Sequence, residues 1–141
     1  MPHESHGRTN IEVLGPDECV RLLESSDVGR IAVIAGGAPL MFPINYALDG
    51  STVVFQTGPG TKLHAAGRAP ACFEIDAFDR ERRAGWSVVV QGRLEEVTHY
   101  DTATYERVQR LGLDPWLTDV GPHWMRLVPS SITGRRLTPR D

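Results

Sequence analysis

Lysine occurs once in this 141-residue chain, against fourteen arginines, and acidic residues outnumber basic ones to give a formal net charge of −3. That balance, together with the scatter of the arginines, argues against the dense basic face of a nucleic-acid-binding protein. Arg80, Arg82 and Arg83 form the one tight basic group, and Asp76, Asp79 and Glu81 neutralise it locally. Cysteine is scarce too. Cys19 and Cys72 lie far apart with no C-x-x-C spacing, which suits buried thiols in a reducing cytoplasm and leaves one disulfide open. The five histidines are dispersed, and none pairs at metal-ligand spacing with another histidine, a cysteine or a carboxylate. No metal is expected.

Long apolar runs are also missing. The longest near-continuous stretch, Ile31 to Ile44, is interrupted by glycines and prolines and has strand character. It falls short of the roughly 20 residues that a membrane-spanning helix needs. The N-terminus has no basic flank followed by an apolar core, so no secretion signal and no membrane partner are expected. Residues 1–10 are expected to form a flexible tail, and 11–141 one domain with one core. A cytoplasmic location is the expectation.

What is present is mostly strand. Pro16 to Ser25 reads as a short helix with Pro16 in its first turn and Cys19, Leu22 and Leu23 on one face. Val28 to Ala35 reads as a strand, and Gly36-Gly37 marks a hairpin. Ala38 to Leu48 alternates, with Leu40, Phe42, Ile44, Tyr46 and Leu48 on one face. Pro39 and Pro43 on the other face predict an edge, a bulge or an irregular segment near Pro43. Asp49-Gly50 marks a second hairpin leading into Ser51–Thr57. Ala71–Phe78 and Gly85–Thr98 read as further strands, the latter with a bulge at Gly92. Asp101 is placed to cap a helix through Leu111, and a loop with Pro115, Trp116 and Pro122 follows. A last strand, Trp124–Val128 and Ser131–Gly134, is expected to break at Pro129. Hairpin-length connections between six strands predict a mainly β (α+β) architecture, a six-stranded antiparallel barrel with a few peripheral helices.

The single lysine ends a glycine-rich turn, Thr57-Gly58-Pro59-Gly60-Thr61-Lys62-Leu63, between a strand and a short helix stopped by Gly67. Thr61 suits an N-cap and Lys62 the first helical residue. Open N–H groups, the positive end of a helix dipole, two hydroxyls and an ammonium make a phosphate site. The spacing equally suits a plain strand-to-helix turn with a solvated lysine. It is neither a triphosphate P-loop, which needs Gly-Lys-Ser/Thr in sequence, nor a dinucleotide G-x-G-x-x-G. A monophosphate, or a cofactor ending in one, matches best.

Taken in order, Val28-Gly29-Arg30-Ile31-Ala32, Pro43-Ile44-Asn45-Tyr46, Phe55-x-Thr57-x-x-Gly60-x-Lys62-Leu63, Phe73-Glu74-Ile75-Asp76, Gly85-Trp86-Ser87-Val88-x-Val90-x-Gly92 and Ile132-Thr133-Gly134-Arg135-Arg136 form an ordered set. The set resembles the pyridoxamine 5′-phosphate oxidase-like family of flavin-binding split β-barrels, especially its small actinobacterial members. It covers about residues 16–137. The resemblance implies a homodimer with FMN in the groove between subunits. Thr57, Thr61 and Lys62 would hold the phosphate, with Leu63 beside them. Pro43, Ile44, Asn45 and Tyr46 would run past the flavin ring, the Asn45 amide being able to donate and accept. Trp86 and Ser87 would approach the same cofactor, from the partner subunit or the adjacent strand.

The chain is much shorter than true pyridoxamine phosphate oxidases and has no arginine-rich substrate segment after the turn, so vitamin B6 chemistry is not expected. An FMN-dependent oxidoreductase with an unidentified small-molecule substrate is the leading reading. A flavin carrier without turnover and an F420-dependent reductase are the alternatives, since related barrels bind F420 or heme. Tyr46 and Trp86 suit the core as well as a ligand role. Arg30, Arg135 and Arg136 could contribute to an anionic cofactor's groove, though a strand arginine such as Arg30 also suits an ordinary surface or dimer contact.

Overall fold

A computed structural model describes residues 9–58, 61–116 and 123–140. The strands are β1 (Thr9–Val13), β2 (Val28–Ala35), β3 (Ala38–Asn45), β4 (Ala47–Asp49), β5 (Thr52–Thr57), β6 (Pro70–Asp79), β7 (Ala84–Val97) and β8 (His123–Pro139). The helices are α1 (Pro16–Glu24), α2 (Lys62–Ala65) and α3 (Thr102–Gln109). One antiparallel sheet runs in the order β3-β2-β6-β7-β8-β5-β4, and β1 pairs with β8. β3 and β4 stand at opposite ends of that order, yet only Tyr46 separates them in sequence. The sheet must therefore curl until its ends meet, and β3 touches β5. The result is a split β-barrel of eight strands rather than six.

Local chemistry explains most boundaries. Gly36 and Gly37 both take positive φ, 62° and 79°, as a two-residue hairpin requires. Gly50 does the same at 65° in the second hairpin. Pro39 and Pro43 are exposed on β3, which among the described residues pairs with β2 alone. A strand with one free edge loses nothing to a missing N–H. The interruption comes three residues later than Pro43, at Tyr46, whose N–H donates to the Asp27 carbonyl at 3.0 Å.

β8 does not break at Pro129. It continues to Pro139 because Pro129 flanks a bulge: Gln91 pairs with Ser131 and Gly92 with Pro129, so Ser130 of β8 is the extra residue and the ladder is already disrupted there. Its other side is shared: β5 pairs with His123–Leu127 and β1 with Arg135–Pro139. Residues 1–8 of the expected tail lie outside the described residues, and Thr9 and Asn10 open β1. Pro122 likewise falls outside them.

The barrel interior is filled by Ile31, Val33, Phe55, Phe73, Ile75, Val88, Val90, Leu94, Met125 and Leu127. α1 covers one end with Cys19 and Leu23. Asp101 caps α3 through the Thr104 N–H, and Val108 packs with Val54 and Val97 in a smaller second cluster. Both cysteines are free thiols, Cys19 buried and Cys72 half-buried. Among the described residues no helix is long and apolar enough to cross a membrane.

Candidate functional site

The turn after β5 has the expected local structure. Thr61 is the N-cap of α2, its hydroxyl accepting from the His64 N–H at 3.0 Å. The Thr57 and Thr61 hydroxyls lie 2.8 Å apart, and Thr61 Oγ1 donates to the Gly58 carbonyl at 3.0 Å. With that proton committed, Thr57 must be the donor of the pair. Thr57 is buried, whereas Thr61 and Lys62 are exposed. A phosphate that bonds both hydroxyls must draw the Thr61 proton from the Gly58 carbonyl and the Thr57 proton from Thr61, each by rotation of one hydroxyl. The first-turn N–H groups of Lys62 and Leu63 have no helical partner by geometry. The Lys62 side chain makes no hydrogen bond or ion pair among the described residues. Leu63 fills the core, 6% exposed, and anchors the helix so that this first turn faces outward. Pro59 and Gly60 lie outside the described residues. The helix ends at Ala65 with Ala66 as its C-cap, just before Gly67 as expected, and the left-handed residue there is Arg68, at φ 69°.

The Pro43–Tyr46 segment reaches the barrel lip where β3 touches β5. Pro43 is exposed, and Ile44, Asn45 and Tyr46 are buried. The Asn45 amide is engaged within the chain: Oδ1 accepts from the Trp116 N–H at 2.8 Å, and Nδ2 donates to the Asp27 carbonyl at 3.4 Å. Tyr46 behaves as a core residue. Its ring stands edge-on to Phe73 at 4.7 Å, and its hydroxyl donates to the Leu23 carbonyl at 2.6 Å, tying α1 to the barrel. Burial pushes the phenol up to about 12, with the Asp27 charge adding to the effect and Ser26 opposing it.

Tyr46→Phe is expected to lower stability by about 1–2 kcal/mol, because the Leu23 carbonyl loses its partner. The phenol's folded pKa lies above its unfolded value. Its contribution is therefore complete below about pH 10 and is lost as pH rises toward 12. Urea melts at neutral and alkaline pH check both; equal alkaline loss in the variant would refute the phenol's role.

Trp86 and Ser87 point to opposite faces of β7. Trp86 packs against the core, and Ser87 lies on the outer face. Neither reaches the turn within one chain. Ser87 pairs with Arg135 of β8, whereas Thr57 pairs with His123, twelve positions away along the same strand. That is on the order of 40 Å of extended strand. On the outer face, Arg30 Nη1 meets Glu74 Oε1 at 3.0 Å and Asp76 Oδ2 at 3.4 Å. Glu74 is raised to about 7, first by desolvation and then by Asp76 beside it, against the opposing pull of Arg30. Arg136 is tied to Glu18 and Glu12.

One constellation escaped sequence reasoning. His64 of α2, Glu96 of β7 and His123 of β8 converge although 27 or more residues separate them in sequence. His64 Nε2 is 3.1 Å from one Glu96 oxygen, and His123 Nδ1 is 2.7 Å from the other. The imidazoles stack at 4.0 Å. The β7–β8 pairing brings Glu96 beside His123, and the placement of α2 after β5, which pairs with β8, adds His64, so no spacing rule could have found them.

Comparison with known proteins identifies the class. Residues 15–136 match the family model described as pyridoxamine 5′-phosphate oxidase, and the chain belongs to this family. A structure of the FAD binding protein from Mycobacterium smegmatis superposes with a TM-score of 0.76 at 40% identity, covering 89% of this chain and 98% of that one. A conserved protein of unknown function from Corynebacterium diphtheriae superposes with a TM-score of 0.73 at 31% identity, covering 89% and 96%. An uncharacterized Mycobacterium tuberculosis protein is 35% identical over 130 residues, 88% of this chain and 84% of that protein.

Proposed function

We propose that this protein is a homodimeric flavin-dependent oxidoreductase that holds FMN by its phosphate at Thr57, Thr61 and Lys62. The observation that carries the reading is the turn itself. The chain's one lysine stands exposed at a helix N-terminus, beside two coupled threonine hydroxyls and two open N–H groups. Pro43–Tyr46 borders the same lip and supplies the surface along which the ring would lie, while Asn45 and Tyr46 fix that segment from behind. Bound flavin supplies the electron transfer, and the chain supplies binding, orientation and exclusion of water. No acid, base or nucleophile is required of the protein, and none is assigned.

The FAD-binding relative at 40% identity favours a second reading, in which the same turn holds the inner phosphate of FAD. Titration with FMN and with FAD, followed by fluorescence, separates the two. An F420 cofactor is less well served, because Arg30 and Arg136 are already held by carboxylates. Consumption of reduced nicotinamide cofactor with bleaching of the bound flavin separates an oxidoreductase from a carrier. A flavin that stays oxidised with every donor tried would reject the oxidoreductase reading.

The outer face supports the dimer. Met41 of β3 is exposed on it beside the Arg30–Glu74–Asp76 group, and Ile34 of β2, Phe78 of β6 and Ile11 of β1 lie further along it, each about 60% exposed. Large apolar side chains left open on one face suit an association surface. A two-fold partner could also bring its Trp86 and Ser87 to the turn that this chain's own copies cannot reach. Sedimentation with FMN at micromolar concentration is expected to give a dimer; a monomer would reject this part of the account.

A further inference from the structure

We propose that His64, Glu96 and His123 form a binding site for a zinc ion. Two imidazoles and one carboxylate come from three separate elements, α2, β7 and β8, and one ligand atom from each lies within 4.8 Å of the others. The donor set is diagnostic of a borderline transition metal. Nitrogen donors disfavour magnesium and calcium, which take oxygen, and the absence of a thiolate disfavours copper(I). Two histidines and one glutamate are the protein ligands of a zinc site that keeps a position open.

The ligands are neither buried in the core nor free in solvent. The side chains of His64 and His123 are each 27% exposed and that of Glu96 35%, so an ion can enter without unfolding the barrel. His64 and Glu96 also line a cavity of about 740 Å³ together with Arg68, Arg93, Thr98 and Asp101. The open position would face this space and take water or a small anion. Coordination asks for a modest rearrangement. As the side chains stand, both rings direct an N–H at the carboxylate, and they lie stacked at an interplanar angle of 26°. Ring lone pairs lie in the ring planes, so the inner nitrogens must lose their protons and at least one ring must turn out of the stack. The site does not depend on the flavin reading. It uses none of the phosphate side chains, although His64 follows Lys62 by two residues and His123 pairs with Thr57.

The test is calorimetric titration of chelator-stripped, full-length protein with zinc chloride. Wild type is expected to bind one zinc per chain with micromolar or tighter affinity. His64→Ala, Glu96→Gln and His123→Ala should each weaken that binding by about a hundredfold or more, since losing an outer-sphere partner alone costs roughly 10–100-fold. A triple variant at the remaining histidines, His3→Ala, His6→Ala and His99→Ala, should bind as wild type does. Absence of one-to-one binding, or loss only in the triple variant, would overturn the site. Because a ligand variant can lose its fold, cobalt(II) on the wild type gives a second reading. Paramagnetically shifted imidazole protons are expected from His64 and His123, and shifts confined to other histidines would overturn the proposal.

Discussion

Lys62→Ala should weaken FMN binding roughly ten- to a hundredfold while leaving riboflavin binding and thermal stability as they were. The magnitude follows from removing one charge-assisted hydrogen bond of about 1.5–3 kcal/mol. Selectivity for FMN follows from chemistry, since riboflavin lacks the phosphate on which the ammonium would act. The fold is expected to survive because the Lys62 side chain is exposed and makes no hydrogen bond or ion pair among the described residues. Thr61→Ala should behave differently. It removes the α2 cap as well as a phosphate ligand, so stability and FMN affinity should fall together. Unchanged FMN affinity in Lys62→Ala would mean the lysine is merely solvated, and an equal loss for FMN and riboflavin would mean a general defect.

Gly92→Ala should be a severely damaging addition of one methyl. A Cβ at Gly92 would stand 2.0 Å from the Val128 carbonyl oxygen and 3.0 Å from the Pro129 Cα. These are backbone atoms of the central strand β8, which β7 grips on one side and β5 and β1 on the other. No rotamer change relieves the clash. The expected cost is at or above the upper end of the 1–3 kcal/mol typical of overpacking, on the order of 10 °C in melting temperature. Gly15→Ala is the control: the added methyl meets nothing within 4 Å, and the N-cap change should cost less than about 1 kcal/mol. Comparable melting temperatures for the two variants would show that β8 can shift away from the bulge.

Much of this fold was legible because its determinants are local. Paired glycines with positive φ fixed the first hairpin, alternation identified the core face of Ala38–Leu48, and Thr61 announced the cap of α2. Gly92 marked the bulge for the reason that now makes its substitution costly. What was hidden depends on partners distant in sequence. Pro129 looked like a strand break, yet the bulge beside it at Ser130 absorbs the missing hydrogen bond. Thr9–Val13 carries too little pattern to declare itself a strand without the β8 edge it pairs with. The Asn45 amide suited a ligand role, yet the N–H of Trp116, 71 residues away, takes its oxygen. The turn at the site could be read from sequence; which residues face it across the barrel could not.

The most direct measurement is the absorbance of the protein after it is mixed with FMN and passed through gel filtration. The account predicts that the flavin's visible band travels with the dimer in proportion to protein, and that riboflavin is largely lost on the column. Protein that emerges colourless from FMN, or that retains riboflavin as well as FMN, would contradict a site built around the phosphate.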